Sequence, residues 1–438
     1  MTVLTYTLGV LLFAVGVAVS IGLHEMGHLV PGKLFNVKVT QFFVGFGRTL
    51  WSTQRGETEY GVKAIPLGGY CKLVGMLPPA PDQDPNRVRD TKTGMFAQLV
   101  DDARSAEYEL VEEADHDRLF YNKAWWKRVV IMGSGVMINL LIAFFLFAVV
   151  FMGYGVPTPT TTVSGVSECV IAVTESTADE PQRECTAADP VAPAKAAGFE
   201  PGDRIVAFNG TPVTEWEQIQ RQIRSNGDQA ATVVVARDGA RVTLRPTTVV
   251  SARPSADDPE QITKVGFLGV VPEQVRERQG VGYVVTTMAE GTWETVKAIG
   301  ALPVKLYHVG LAAVGVEERD PEGPMSVVGA GRVAGEMASQ EEVPAASRFF
   351  SVLLLLAGLN LFLGMINLLP LPPFDGGGIA TTLYEAARRG VARIRGKPDP
   401  GGVDPARLLP VTYVMAAVIL VMSVVLIYAD IVAPVSLS

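Results

Sequence analysis

His24-Glu25-Met26-Gly27-His28 sets two imidazoles four residues apart with a carboxylate beside the first, inside a run of apolar residues. On a helix, residues i and i+4 share a face, so both imidazoles can reach one Zn²⁺ while Glu25 addresses a water next to it. Ionisable groups are costly in hydrocarbon, which makes this HExxH motif a functional-site candidate rather than a chance match. Zinc hydrolases combine three protein ligands with an open position, so a third ligand must come from elsewhere. Asp375 is the candidate, in Asn367-Leu368-Leu369-Pro370-Leu371-Pro372-Pro373-Phe374-Asp375-Gly376-Gly377-Gly378. The prolines end a helix and the glycines permit sharp turns, so a carboxylate at the end of a span can project sideways into a bundle.

The elements that must position these groups are membrane helices. A chain of 438 residues that is 48% hydrophobic is too apolar for an ordinary soluble enzyme. Four apolar runs, roughly 4–30, 129–154, 349–370 and 409–429, are each long enough to span a bilayer. The first is read as a span, because it lacks the basic leader and small-residue cleavage site of a signal peptide. Lys33, Lys38, Arg48, Lys123, Lys127 and Arg128 flank spans one and two, and Arg388, Arg389, Arg393, Arg395, Lys397 and Arg407 fill the loop between spans three and four. By the positive-inside rule both loops are cytoplasmic, and both termini and the 155–348 region are outside. HExxH and Asp375 then lie at matching depth near the cytoplasmic face. The formal charge of −8 and the acidic stretch 101–117 argue against a nucleic-acid partner. Cys169 and Cys185 fall in the outward region, where a disulfide persists, and Cys71 falls inside. The sequence leaves open whether the outward pair is bridged.

The expected fold class is a polytopic α-helical membrane protein with four transmembrane helices, a membrane-associated β region and an extracytoplasmic α+β domain. Residues 1–32 form the first membrane helix, 33–77 the β region, 78–123 an acidic cytoplasmic loop and 124–155 the second helix. Residues 156–275 form the outward domain, 276–348 an amphipathic juxtamembrane region, 349–378 the third helix, 379–408 a basic cytoplasmic loop and 409–430 the fourth helix. The β assignment at 35–74 rests on period-two patterning broken by glycine. The outward domain shows strands at 203–208, 232–236 and 241–244, with turns at Asn209-Gly210 and Asp238-Gly239, and a helix through Trp216, Ile219 and Ile223. It has no catalytic constellation and reads as a binding or gating module. Residues 78–92 read as a Pro/Asp-rich loop and 95–118 as an acidic surface helix. Residues 292–314, interrupted by Lys297, Pro303, Lys305 and His308, read as an amphipathic surface helix rather than a fifth span.

In these motifs and their order the chain resembles the site-2 protease family of intramembrane zinc metalloproteases, specifically the bacterial regulators of envelope-stress sigma factors. The residues that carry the resemblance are the HExxH motif, Pro66-Leu67-Gly68-Gly69-Tyr70, Phe120-Tyr121-Asn122-Lys123, Asn367-Leu368-Leu369-Pro370 and Phe374-Asp375-Gly376-Gly377. Ala196-Ala197-Gly198-Phe199-Glu200-Pro201-Gly202-Asp203-Arg204-Ile205 looks like part of a PDZ domain. The resemblance implies that His24, His28 and Asp375 bind Zn²⁺, that Glu25 is the general base or acid, and that Asn367 holds substrate or steadies the oxyanion. It also implies that the β region, with Gly68 and Gly69, offers a strand edge to unwound substrate. The implied substrate is a single-pass membrane protein, an anti-sigma factor, cut after an upstream site-1-type protease has trimmed its outer part. The chain departs from the family pattern in having Gly133-Ser134-Gly135 before Asn139, where Gly-Pro is usual, and Gly378 where a large polar residue is usual.

Two other readings compete. A catalytically silent membrane scaffold acting through the PDZ-like domain is countered by the intact HExxH and Asp375. A metal transporter would need a row of acidic or His residues across the spans. For Asn139 and Asn360 the bland role, interhelical hydrogen bonding, is favoured over catalysis.

Overall fold

The computed structural model describes residues 2–77, 113–171, 184–255, 261–321 and 323–435. The chain divides into two compact units, Met1–Gly153 with Gln279–Ser438, and Tyr154–Arg278. The Pro/Asp-rich stretch at 78–92 and most of the acidic segment at 95–118 lie outside the described residues. The end of that segment forms a 3-10 turn, Glu113–Arg118, rather than α-helix.

Helix α1 is Thr2–Leu34, apolar through most of its length and interrupted by His24, Glu25 and His28 in its second half. It leads into an antiparallel pair, β1 (Val39–Arg55) and β2 (Thr58–Leu73), closed at Gly56 with φ 64°. Phe46, Leu50, Trp51 and Ile65 stand exposed on this pair. Its base is anchored in a cluster of Leu29, Val37, Val39, Leu73, Phe120, Ile131 and Met132. Helix α2, Trp125–Ala148, supplies the last two residues of that cluster.

The second unit opens with β3 (Val156–Val166) and the short α3 (Pro193–Ala196), then β4 (Arg204–Phe208), β5 (Thr211–Pro212) and α4 (Trp216–Ser225). It continues through β6 (Val233–Arg237), β7 (Ala240–Leu244), β8 (Val249–Pro254), β9 (Ile262–Phe267) and β10 (Val270–Glu277). Its main sheet is ordered β10-β3-β4-β6-β7 with β5 beside β4, and β8–β9 form a separate pair. Alternating strand residues and the Ile219/Ile223 face of α4 fill one core with Phe199, Ile205, Phe208, Val233, Val235 and Leu268. Asp203 is buried and accepts from Arg237 Nε at 2.7 Å and Nη2 at 2.8 Å. Burial would push the Asp203 carboxyl up, but Arg237 and the Glu200 backbone N–H outweigh it and hold it below the usual carboxylate range.

In the first unit the chain resumes with α5 (Val281–Ala313), α6 (Val327–Ser339), α7 (Ala345–Asn367), α8 (Asp375–Ile394) and α9 (Leu409–Val432). Among the described residues four helices are long and apolar enough to cross a membrane: Val3–Leu34, Trp125–Tyr154, Ala345–Asn367 and Pro405–Val432. They coincide with the four apolar runs of the sequence. Three expectations change. The helix expected at 292–314 starts eleven residues earlier, because the apolar run beginning at Val281 continues it and Pro303 is tolerated inside. Helix α6 was not expected. Ser326 caps it, accepting from the N–H groups of Val328 and Gly329. Its small residues let α1 approach closely: a Cβ on Gly9 would meet Ala334 O at 2.6 Å, and one on Gly335 would meet the Tyr6 ring at 2.7 Å. The stretch read as a basic loop at 379–408 is helical as far as Ile394, and it begins at Asp375 itself.

Cys169 and Cys185 are disulfide-bonded in the second unit, with Cα atoms 6.0 Å apart. Closing a loop of sequence separation 16 restricts the unfolded chain, so Cys169→Ser should lower the stability of this unit by about 3 kcal/mol. Denaturant unfolding of the purified protein checks this, and unchanged unfolding would show that the loop is already ordered without the bridge.

Candidate active site

On α1, His24 and His28 face each other with their Nε2 atoms 3.3 Å apart. Each Nε2 also lies 3.3 Å from Asp375 Oδ2. Asp375 reaches them because Pro370, Pro372 and Pro373 stop the chain from continuing α7. The 368–374 turn then folds back on the start of α8. A Cβ on Gly376 would meet Leu368 O and Leu369 O at 2.3 Å, and one on Gly377 would meet Pro372 N at 2.7 Å, so this turn requires both glycines. Asp375 is therefore the first residue of a new helix, not the last of a span. There a carboxylate also suits the positive end of the helix dipole.

A second set of contacts fixes how the imidazoles are turned. His28 Nδ1 lies 2.8 Å from Ile131 O, so Nδ1–H donates there and the Nε2 lone pair faces Asp375. His24 Nδ1 lies 3.2 Å from the Asn139 side-chain amide, whose Oδ1 is buried without another partner. With the amide turned so that Oδ1 accepts from Nδ1–H, His24 Nε2 likewise presents a lone pair. Ser134 Oγ donates to Gly27 O at 2.5 Å, joining α2 to α1. The two helices approach so closely that a Cβ on Gly135 would lie 2.5 Å from His28 Nε2, and one on Gly27 would lie 2.8 Å from Ser134 O.

Three lone-pair atoms thus converge, and Asp375 Oδ2 is buried without a hydrogen-bond donor. Such an arrangement needs positive charge among the three atoms, supplied by a proton or a bound metal cation. His24, His28 and Asp375 form the group able to hold a metal among the described residues. The residues fit zinc: with ligand bonds of about 2.0–2.1 Å, neighbouring corners of a tetrahedron stand roughly 3.3–3.4 Å apart, and all three sides of this triangle measure 3.3 Å.

Glu25 is buried on the adjacent side of α1, against β2. The Cys71 backbone N–H donates to its carboxylate, and a Cβ on Gly69 would meet Glu25 Cγ at 3.0 Å. Gly68 has φ 100°, a conformation open mainly to glycine. Gly69 therefore stands beside the candidate base, and Gly68 lies against the Phe46 ring. Asn367 is the last residue of α7, and no hydrogen bond joins its side chain to the triad among the described residues. Sequence reasoning missed Ile131, whose carbonyl acts through the backbone, and Ser134. The sequence marks Gly133-Ser134-Gly135 only as a departure from the family's Gly-Pro, and the interhelical hydrogen bonding expected of Asn139 is present, with His24 as its partner. The signal available was the set of small residues in an apolar span, a mark of close helix approach.

The model of Peptidase family M50 matches residues 12–397. The chain is 35% identical to zinc metalloprotease Rip1 of Mycobacterium tuberculosis, over 99% of both chains. It is 32% identical to zinc metalloprotease Rip1 of Mycolicibacterium smegmatis, again over 99% of both. To metalloprotease MmpA of Caulobacter vibrioides it is 28% identical over 86% of each.

Two substitutions away from the triad should weaken metal binding. Asn139→Ala removes the group that orients His24 and should cost about 10- to 100-fold in zinc affinity. Gly135→Ala should cost at least as much, because the new methyl displaces His28. Chelator competition on the purified variants, with helicity checked by circular dichroism, measures both. Wild-type affinity in either variant would show that the α2 contacts do not set the imidazoles.

Proposed function

This chain belongs to peptidase family M50, the site-2 protease family, as a multi-pass membrane zinc metalloprotease, and on that premise we propose that it cuts within the transmembrane segment of single-pass membrane proteins. The observation that carries the reading is the triangle of 3.3 Å sides beside a buried glutamate, set among apolar helices. His24, His28 and Asp375 hold the zinc, which when bound polarises a peptide carbonyl and acidifies water. Glu25, one residue from a ligand, accepts the proton of the attacking water and returns it to the departing amide nitrogen.

A transmembrane substrate hides its carbonyls in helical hydrogen bonds, so the segment must unwind before it is cut, and its freed backbone groups need new partners. The β2 strand at Gly68 and Gly69 runs past Glu25 and offers such partners along its backbone, as in strand-addition recognition. Asn367 secures the substrate strand through its amide. The basic residues around spans one to two and three to four support a site near the cytoplasmic face. The 154–278 unit, a PDZ-like module outside, is then a size filter that admits substrates already shortened by a site-1-type protease. Anti-sigma factors fit that description.

Reconstituted enzyme with a pre-trimmed single-pass substrate tests the roles. Glu25→Gln should keep zinc and lose about 10²- to 10⁴-fold in rate. Asp375→Ala should lose both zinc and cleavage. Full zinc in the Asp375 variant would remove that residue from the ligand set. Replacing the 154–278 unit with a short Gly/Ser linker should leave the pre-trimmed substrate cut at an undiminished rate and allow the untrimmed one to be cut as well. Continued rejection of the untrimmed substrate would refute the filter.

A further inference from the structure

Helix α8 does more than carry Asp375 in its first turn. Its inward side buries Thr382 and Glu385, and its outward side exposes Leu383, Tyr384, Val391 and Ile394, the last 87% exposed. At about 100° per residue these four and Ala387 fall within a sector roughly 100° wide, and no charge interrupts it. A helix facing water shows a polar outer stripe, and α8 shows the opposite. Yet it is not among the helices apolar enough to cross a membrane, and arginines flank the stripe: Arg388 and Arg395 border one margin and Arg393 lies about 80° beyond the other, while Arg389 turns to the opposite face with Glu385. An apolar stripe with basic margins is the pattern of a helix lying in the bilayer interface.

The depth of α8 is set independently. Arg128, in the first turn of α2, donates to Glu385 through Nη2 at 2.7 Å and Nη1 at 3.3 Å, with both side chains buried. Trp125 and Trp126, three and two residues before Arg128, are 47–49% exposed, and exposed tryptophans at a helix end mark the headgroup level. The buried pair therefore ties α8 to that level. The basic residues also divide in use. Arg388 donates to the carbonyls of Pro400, Gly401 and Gly402, and Arg389 pairs with Glu385 and Asp399. Arg393, Arg395 and Lys397 are exposed and have no side-chain partner among the described residues.

We propose that α8 is an interfacial helix that binds the anionic headgroups of the bilayer, with Leu383, Tyr384, Ala387, Val391 and Ile394 in the acyl boundary and Arg393, Arg395 and Lys397 on lipid phosphates. The lipid contact thereby fixes the depth of the helix that Asp375 opens. The assignment does not depend on which substrate is cut.

The test uses the zinc-loaded full chain carrying Ala387→Cys with a fluorescent label, the unsubstituted chain serving as the blank for Cys71. The protein is placed in vesicles containing acyl-brominated phosphatidylglycerol or, in parallel, acyl-brominated phosphatidylcholine at the same mole fraction. Lipid quenching should be strong, with phosphatidylglycerol preferred severalfold, since one basic residue near an anionic surface is worth roughly fivefold in binding. Arg393→Gln/Arg395→Gln/Lys397→Gln should abolish the preference and leave the quenching. Equal quenching by both lipids in the unmutated helix would overturn the anionic assignment. Quenching by aqueous iodide alone would show a water-facing helix, and cross-linking of the introduced thiols between two chains without lipid quenching would show a contact between copies. Either result overturns the proposal.

Discussion

Three electron-pair donors facing one another at 3.3 Å, two imidazole nitrogens and a carboxylate oxygen, form the constraint on which the rest of the first unit depends. Buried lone pairs repel, and in a low-dielectric interior that repulsion is screened least. The arrangement becomes stable when a cation joins them, and the surrounding elements are shaped to keep them together until it does. Gly27 and Gly135 let α1 and α2 touch backbone to backbone. Ile131 O and Asn139 take the Nδ1 protons and leave both Nε2 atoms facing inward. The proline-rich turn before α8 brings in the third donor from a segment about 350 residues away.

The same region has to satisfy the rules of the bilayer. A broken helix at membrane depth survives only where its loose backbone groups are packed against protein, and the 368–374 turn meets this by lying on the glycine start of α8. A buried ion pair gains little stability over an apolar replacement, yet losing one partner strands a buried charge. Arg128–Glu385 is therefore best understood as fixing the position of α8 against α2 rather than as a source of stability. Glu25 occupies the seam between α1 and β2, with Gly69 against its side chain.

Much of this was legible in the residues because it is local. HExxH declares its own geometry, since helical spacing alone puts His24 and His28 on one face. The four apolar runs became four long helices, and the strands around Asn209-Gly210 and Asp238-Gly239 pair as hairpins through those turns. Asp375 could be picked out by the prolines before it and the glycines after it, although its place at the head of a new helix could not, because charged residues made 379–408 look like a loop. The periodic Leu383, Val391 and Ile394 were the signal of helix there. Helix α6 escaped because its buried residues are small, Gly329, Ala330, Gly331 and Ala334, and contribute little to an apolar pattern. The role of Ile131 was out of reach, since what touches a carbonyl is decided by a helix distant in sequence.

X-ray absorption at the zinc edge on the purified full chain tests the central claim most directly. The account predicts two imidazole scattering patterns, with nitrogen and oxygen neighbours at about 2.0–2.1 Å and no sulfur. A sulfur neighbour at about 2.3 Å, which would bring in a thiol such as Cys71, or a spectrum with fewer than two imidazoles, would contradict it.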